Sequence, residues 1–261
     1  MIQEYDGILG KFKYDDTKFN LIEGIQWNRV GLHYIGEESD IEIPEGLRTC
    51  KNMFKNSKYE KLRIHFNNQP IRSCRNMFNN CRNLTEIEFY DINTEEVEDM
   101  CNMFYTCSAL RRIDLSGFNF KTVTDVSNMF AYCRSLEEID LSNFNGEQIE
   151  TVRSMFMNCS KLRGIDFGKY DFQNVDEMDN LLAGCTELMY VHAPNLILDT
   201  GSFSIFKGCK NLKYIILSRE NYYSEFFAND LVLSLQGQSI TGNSHFLNCD
   251  KLKALGGKNY D

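Results

Sequence analysis

The sequence predicts an α/β repeat protein, a right-handed solenoid of about eight coils of 24–26 residues, each with a short strand, a loop and a short helix. Three observations support this fold class. A Met-Phe pair recurs at a nearly fixed interval, a cysteine and aliphatic residues follow it in phase, and the apolar period changes within each coil. Because one such coil cannot bury its apolar face alone, the coils must stack on one another.

The Met-Phe pair defines the repeat. It begins at Met53, Met77, Met103, Met129 and Met155, and related pairs begin at Leu181, Ile205 and His245. The intervals are 24, 26, 26, 26, 26, 24 and 40 residues, so the last one holds an insertion. A cysteine lies three residues after every pair except the first, where Ser57 stands. A repeat in this many columns does not arise by chance.

Residues 126–141 show both periods within one coil. Apolar side chains lie at i, i+3, i+4, i+7 and i+10 from Val126, which predicts one face of a short helix. Either Thr124 or Asp125 can cap the start of this helix. Residues 136–141 then alternate between apolar and polar side chains, which predicts a short strand.

These coils resemble the BspA-like leucine-rich repeat family, whose coils read roughly Val-x-x-Met-Phe-x-x-Cys-x-x-Leu-x-x-Leu-Asp-Leu-Ser. Residues 126–142 and 152–167 match this pattern best, and the resemblance covers residues 47–217 with a degenerate coil at 244–255. It implies a leucine-rich-repeat-like architecture. Many members of the family look like bacterial surface or secreted proteins that bind host or partner proteins.

The repeat divides the chain into four parts. Residues 1–46 lack it and alternate around a turn, so we expect a β-rich N-terminal cap with a hairpin. Residues 47–217 form the predicted solenoid. Residues 218–243 are an insertion, either a second cap or a projecting contact element, and residues 244–261 are a degenerate last coil with a C-terminal cap.

Composition and charge restrict the partners. The net charge of −9 argues against binding nucleic acid through a basic patch, and it fits either a basic protein partner or solubility alone. No apolar run reaches the roughly 20 residues that span a bilayer. The first residues do not resemble a signal peptide. We therefore expect a cytoplasmic monomer without membrane contact, or a secreted or surface protein if the chain is truncated.

The cysteines and histidines do not form a site pattern. Zinc sites use closely spaced ligands, whereas here one thiol recurs per coil, so we expect buried reduced thiols that pack as small apolar groups. No histidine has a partner at metal-ligand or catalytic-triad spacing, and no phosphate-binding glycine motif occurs. The sequence predicts no metal, no cofactor and no enzymatic activity.

The outward positions of the strands form the predicted binding surface. The middle coils present a row of carboxylates, and the last two coils present tyrosines and a histidine. An alternative is that the aspartates of the Leu-Asp-Leu pattern only bond to the backbone of the following turn. The predicted contact residues are Glu86, Glu88, Arg112, Asp114, Glu138, Asp140, Asp166, Tyr190, His192 and Tyr214.

The predicted function is non-enzymatic protein binding. In one version the protein is an intracellular adaptor or inhibitor of a basic nucleic-acid-processing partner, such as a prokaryotic immune nuclease. The alternative is a bacterial surface or secreted adhesin, as the family resemblance implies. An enzyme with its site in residues 1–46 or 218–243 is a third hypothesis, but neither segment contains paired catalytic residues.

Overall fold

The computed structural model describes residues 1–7, 10–22, 31–168, 170–198 and 203–217. In this part the chain is a solenoid of seven coils, numbered here by their Met-Phe-type pairs from coil 1 at residues 53–54 to coil 7 at residues 205–206. The insertion and the degenerate last coil predicted at 218–261 lie outside the described residues.

The N-terminal region packs against the first coil. Strands β1 (Ile2–Gly7) and β2 (Gly10–Asp15) form an antiparallel hairpin, and β3 (Phe19–Ile22) pairs antiparallel with β4 (Gly31–Tyr34). The amide of Tyr34 donates to the Met53 carbonyl at 2.8 Å, and the Tyr34 ring lies 5.6 Å from the Phe54 ring. These contacts cover the first coil of the core.

The strands of the coils form two separate parallel sheets. The first contains β5 (Asp40–Glu42), β6 (Lys61–His65) and β7 (Glu86–Tyr90), and the second contains β8 (Gly164–Asp166), β9 (Tyr190–Ala193) and β10 (Tyr214–Leu217). Coils 3 and 4 contribute no strand, because residues 112–115 and 138–141 do not pair. The strand predicted for every coil is therefore found in five of the seven described coils.

The short helix predicted for each coil is not confirmed, since the described residues contain no helix. Coil 4 instead folds residues 126–133 into consecutive turns. The amides of Met129, Ala131 and Cys133 each donate to the carbonyl three residues earlier, at 3.0–3.1 Å. The intervening Asn128 and Tyr132 have φ of 54° and 63°, which an α-helix cannot accommodate.

Two left-handed positions recur four residues apart in every described coil. Most of these positions hold asparagine, serine or glycine, which are residue types common in turns. The residues are Asn52, Asn56, Asn76, Asn80, Asn102, Thr106, Asn128, Tyr132, Ser154, Asn158, Asn180, Gly184, Ser204 and Gly208. With these left-handed residues in place, alternate backbone amides of the turn segment bond to the next coil instead of within their own coil.

These amides form a regular ladder between coils on the side of the consecutive turns, which we call the turn side. Asn128 donates to the Arg153 carbonyl at 2.8 Å and Phe130 to the Met155 carbonyl at 2.8 Å. The same pattern recurs 26 residues earlier and later. Backbone bonding between coils thus replaces the intrahelical bonding that the apolar period suggested.

Stacked phenylalanine rings and buried cysteines fill the core behind this ladder. The rings of Phe54, Phe78, Phe104, Phe130 and Phe156 are separated by 5.2–5.4 Å and inclined by only 2–8°. The thiol of Cys133 donates to the Phe104 carbonyl one coil earlier at 3.1 Å. Burial raises the pKa of Cys133 to about 12, so this thiol keeps its proton. The cysteines therefore contribute a hydrogen bond as well as packing.

Candidate protein-binding surface

The second sheet brings together several predicted contact residues. Asp166 lies opposite His192, and His192 lies opposite Ile216. Tyr190 is two residues before His192 on the same strand, so both side chains point to the same side of the sheet. We call Asp166, Tyr190, His192 and Ile216 the C-terminal face.

The C-terminal face is ordered by direct contacts. His192 Nδ1 lies 2.7 Å from Asp166 Oδ1, and the His192 ring is stacked 6.4 Å from the Tyr190 ring at 17°. A side chain at Gly164 would come within 3.3 Å of the Tyr190 ring, so the glycine leaves room for the tyrosine. Tyr190 remains 38% exposed and Ile216 41% exposed. Partial burial and the nearby Asp166 carboxylate raise the pKa of Tyr190, so its hydroxyl stays protonated.

The carboxylates of coils 3 and 4 make local backbone contacts. Asp114 Oδ1 accepts from the Ser116 amide and Asp140 Oδ1 from the Ser142 amide, both at 2.8 Å. This is the local bonding that the Leu-Asp-Leu alternative describes. The Ser116 bonds hold the pKa of Asp114 below its usual range, so this carboxylate is ionised. Since these coils have no strands, the carboxylates do not lie along one continuous sheet.

The remaining predicted residues have different surroundings. Glu86 pairs with Lys61 at 2.7 Å and Glu88 with Arg63 at 3.3 Å, so the acidic row is neutralised at its N-terminal end. Arg112 and Glu138 are exposed on coils 3 and 4. The Tyr214 backbone pairs with Tyr190 in the sheet, while the Tyr214 side chain lies outside the described part of the structure.

A second aromatic cluster on the first sheet was missed by the sequence analysis. The rings of His65 and Tyr90 stack at 4.6 Å and 8°, and His65 Nε2 lies 2.8 Å from Asp40 Oδ1. We call Asp40, His65 and Tyr90 the N-terminal face. The sequence could have predicted this cluster. His65 and Tyr90 lie two residues after Arg63 and Glu88 on the same side of their strands, and they occupy directly paired positions.

Asp99, Cys101 and Asp125 form a further group that sequence spacing did not indicate. Their oxygen and sulfur atoms lie within 4.8 Å of one another. Arg75 Nη1 lies 3.1 Å from Asp99 Oδ2 and 3.5 Å from Asp125 Oδ2. The guanidinium pairs with both carboxylates, so the group acts as an ion-pair network that links coils 2, 3 and 4.

Residues 48–164 and 72–191 match a family described as "Mycoplasma protein of unknown function, DUF285". Together the two overlapping matches span more than half of the chain. The chain belongs to this family. This match, together with the likeness to TpLRR described below, confirms the resemblance to BspA-like leucine-rich repeats.

Two solved structures are similar to this DUF285 member. The leucine-rich repeat protein TpLRR of T. pallidum is 19% identical, with a TM-score of 0.52 over 76% of this chain and 90% of that one. A leucine-rich cell surface protein of Faecalibacterium prausnitzii A2-165 is 15% identical, with a TM-score of 0.31 over 98% and 96%. The first likeness shows the leucine-rich-repeat fold. No curated protein matches the chain.

The DUF285 match ends within the C-terminal face. It includes Asp166 and Tyr190, but His192 and Ile216 follow its last residue. His192 and Ile216 of the C-terminal face therefore lie outside the matched ranges. Within the described residues, no helix has the length and apolar character needed to cross a bilayer.

Proposed function

We propose that this DUF285 member is a non-enzymatic protein-binding solenoid whose contact site is the C-terminal face with the carboxylates beside it. The observation that carries this proposal is the Tyr190–His192 stack held by Asp166. Exposed tyrosines are frequent binding hot spots. A side chain already held in place loses less conformational entropy on binding, and the exposed Ile216 adds apolar surface.

The partner in this proposal is a basic protein. The net charge of −9 would accelerate encounter with a positively charged surface. In its sharpest form the protein is a monomeric cytoplasmic adaptor or inhibitor of a nucleic-acid-processing partner, such as a prokaryotic immune nuclease. The nine cysteines of the described residues are free and buried, which is typical of proteins from a reducing compartment.

Affinity capture from a host lysate tests the contact site. The wild-type chain should retain a partner that the Tyr190→Ala/His192→Ala variant loses. The matched control is His65→Ala/Tyr90→Ala, which removes the same residue types from the N-terminal face. Equal retention by all three proteins, each shown to be folded by thermal unfolding, would refute the C-terminal face as the contact site.

The charge of the partner is tested by the salt dependence of the same capture. Contacts between exposed opposite charges weaken as salt is raised from about 0.05 M to about 0.5 M. A captured partner that is acidic, or that binds equally at both concentrations, contradicts the basic-partner proposal and leaves the contact site unaffected.

An adhesin-like protein of the bacterial surface is the second candidate, favoured by the BspA-like resemblance. Protease treatment of intact host cells separates the two candidates. Cleavage of the chain in intact cells supports the surface role, whereas protection until the cells are lysed supports the cytoplasmic one.

A further inference from the structure

The charge of this protein is divided unevenly between the two sides of its solenoid. The whole chain has 28 lysines and arginines against 37 aspartates and glutamates. The turn segments of coils 2 to 5, residues 75–83, 101–109, 127–135 and 153–161, are described throughout and contain no aspartate or glutamate. Their cations are Arg75, Arg82, Arg134, Arg153 and Lys161. These segments are therefore positively charged in a protein whose net charge is −9.

Three of the five cations remain available to a partner. Arg75 pairs with the two aspartates that flank its neighbouring turn segments, and Lys161 pairs with Glu187 at 2.7 Å. The other three are exposed arginines without an ion-pair partner among the described residues, namely Arg82, Arg134 and Arg153. The Arg82 side chain is held by a bond from Nε to Asn80 Oδ1 at 2.7 Å. An anionic group from outside can therefore pair with guanidinium groups on this side.

Two half-buried tyrosines of adjacent coils lie among these arginines. The Tyr105 and Tyr132 rings are 5.5 Å apart at 71°, and the Arg134 guanidinium lies 5.9 Å from the Tyr132 ring centre. Neither tyrosine hydroxyl has a hydrogen-bond partner among the residues that the structure describes. We call Arg82, Tyr105, Tyr132 and Arg134 the turn-side cluster. It offers hydroxyl and guanidinium donors beside aromatic surface.

The backbone of the turn does not require a tyrosine at position 132. Tyr132 has φ of 63°, where a bulky side chain is unfavourable. The equivalent residues of the other described coils are all smaller: Asn56, Asn80, Thr106, Asn158, Gly184 and Gly208. A residue that is unfavourable for its own backbone favours a role of the side chain outside folding.

We propose that the turn-side cluster binds an acidic, extended segment of a protein partner, whose carboxylates pair with the arginines while its other side chains pack against the tyrosines. Tyrosine and arginine are enriched in protein interfaces and lysine is depleted, and four of the five cations here are arginines. A nucleic acid is less suitable, because its charge would extend past these coils along an otherwise acidic chain.

The length of the segment follows from the stacking of the coils. Since successive rings from Phe78 to Phe156 are 5.2–5.4 Å apart, coils 2 to 5 span roughly 16 Å, about the reach of five extended residues. The inference goes beyond the proposed function, because it gives the solenoid a second contact surface of opposite charge. With both surfaces occupied, the protein would join a basic partner to an acidic one.

A fluorescently labelled hexaglutamate peptide is the probe, and hexaglutamine is its uncharged control. Salt of about 0.15 M limits repulsion by the acidic strand side, since the Debye length is then about 8 Å. Arg82→Gln/Arg134→Gln removes two charges from the turn-side cluster. The matched variant Arg111→Gln/Arg163→Gln removes two exposed arginines of the strand side. Fluorescence anisotropy measures the affinity of each protein for each peptide.

We expect wild type to bind hexaglutamate and not hexaglutamine, with affinity reduced roughly tenfold or more by the cluster variant and less than about threefold by the matched variant. Equal weakening by both variants would overturn the inference, as would the absence of hexaglutamate binding. Tighter binding of a labelled hexathymidylate than of hexaglutamate would assign the surface to nucleic acid and would also overturn it.

Tyr132→Asn separates binding from folding. It introduces the residue type that Asn80 and Asn158 have at the equivalent positions, so we expect thermal unfolding at the wild-type temperature or above. The affinity for hexaglutamate should nevertheless fall about threefold or more. Unchanged affinity in this variant would contradict the contact assigned to the tyrosine. None of these substitutions touches Tyr190 or His192, so the capture test and this one fail separately.

Discussion

The turn side and the strand side of this solenoid differ in regularity. On the turn side, each described coil repeats the same left-handed positions, and coils 1 to 6 repeat the same bonds to the next coil. The phenylalanine rings form one stack from Phe54 to Phe156. On the strand side, pairing stops after β7 and resumes at β8. We therefore expect the turn side to contribute more than the strand side to the stability of the stack. The strand side is consequently free to vary in shape and charge.

The largest expected effect is the loss of a ring from the stack. Phe104→Ala removes a fully buried ring between two others and should cost about 3–5 kcal/mol of unfolding free energy. Ile139→Ala, at a half-buried position on the strand side, should cost less than about 2 kcal/mol. Urea unfolding of both variants makes the measurement. An equal loss would contradict the assignment of stability to the turn side.

The next effect concerns the left-handed backbone. Asn128 has φ of 54°. In this left-handed region most residues other than glycine, asparagine and aspartate are destabilised by about 1–2 kcal/mol. Asn128→Ala should lower the unfolding free energy by about that amount, whereas Asn128→Gly should change it by only a few tenths of a kcal/mol. Thermal unfolding of the pair checks this. A glycine variant as unstable as the alanine variant would show that the asparagine side chain matters more than its backbone.

The thiol bond between coils should contribute less. Cys133→Ala removes the donor to the Phe104 carbonyl and should cost about 1 kcal/mol at neutral pH. Because burial raises the folded-state pKa of Cys133 to about 12, the unfolded thiol ionises first as pH rises above about 8.5. The stability advantage of wild type over the variant should therefore shrink at alkaline pH. Urea unfolding of both proteins at about pH 7 and about pH 10 tests this. A stability advantage of wild type that grows with pH would contradict the prediction.

The smallest effect is expected on the strand side. Asp114→Asn keeps an acceptor for the Ser116 amide and should change the unfolding free energy by less than about 0.5 kcal/mol. Because the folded-state pKa of Asp114 is lowered, its contribution is present at neutral pH and is lost as pH falls through the folded pKa. The difference between the two proteins should thus be greatest near pH 7. A change comparable to that of Phe104→Ala would remove the contrast between the two sides.

The sequence predicts the core well because each apolar column occupies the same place in every coil. The paired residues from Met53 to Phe206 are fully buried throughout the described coils. The sequence pattern does not reveal the turns, because consecutive turns with bonds from residue i+3 to residue i give the same apolar spacing as a short helix. The asparagines that precede Met53, Met77, Met103 and Met129 were the discriminating signal, since asparagine is enriched at positive φ.

The surface was harder to predict than the core. Aligning the repeats placed Asp166, Tyr190 and His192 beside one another, as the structure does, because corresponding positions in adjacent coils become neighbours. It could not show that coils 3 and 4 lack strands, since their Ile-Asp-Leu segments resemble the corresponding segments of the paired coils. The role of these residues in partner binding stays a prediction until the capture experiment is done.

The inter-coil bonds of the turn side also give the stack a direction. The amides of Phe54, Phe78, Phe104, Phe130 and Phe156 each donate to a carbonyl of the following coil, so the dipoles of these peptide groups add. The N-terminal end of the turn side therefore presents carbonyl acceptors, and the Tyr34 amide donates to one of them, the Met53 carbonyl. An element that closes this end must donate, and one that closes the other must accept.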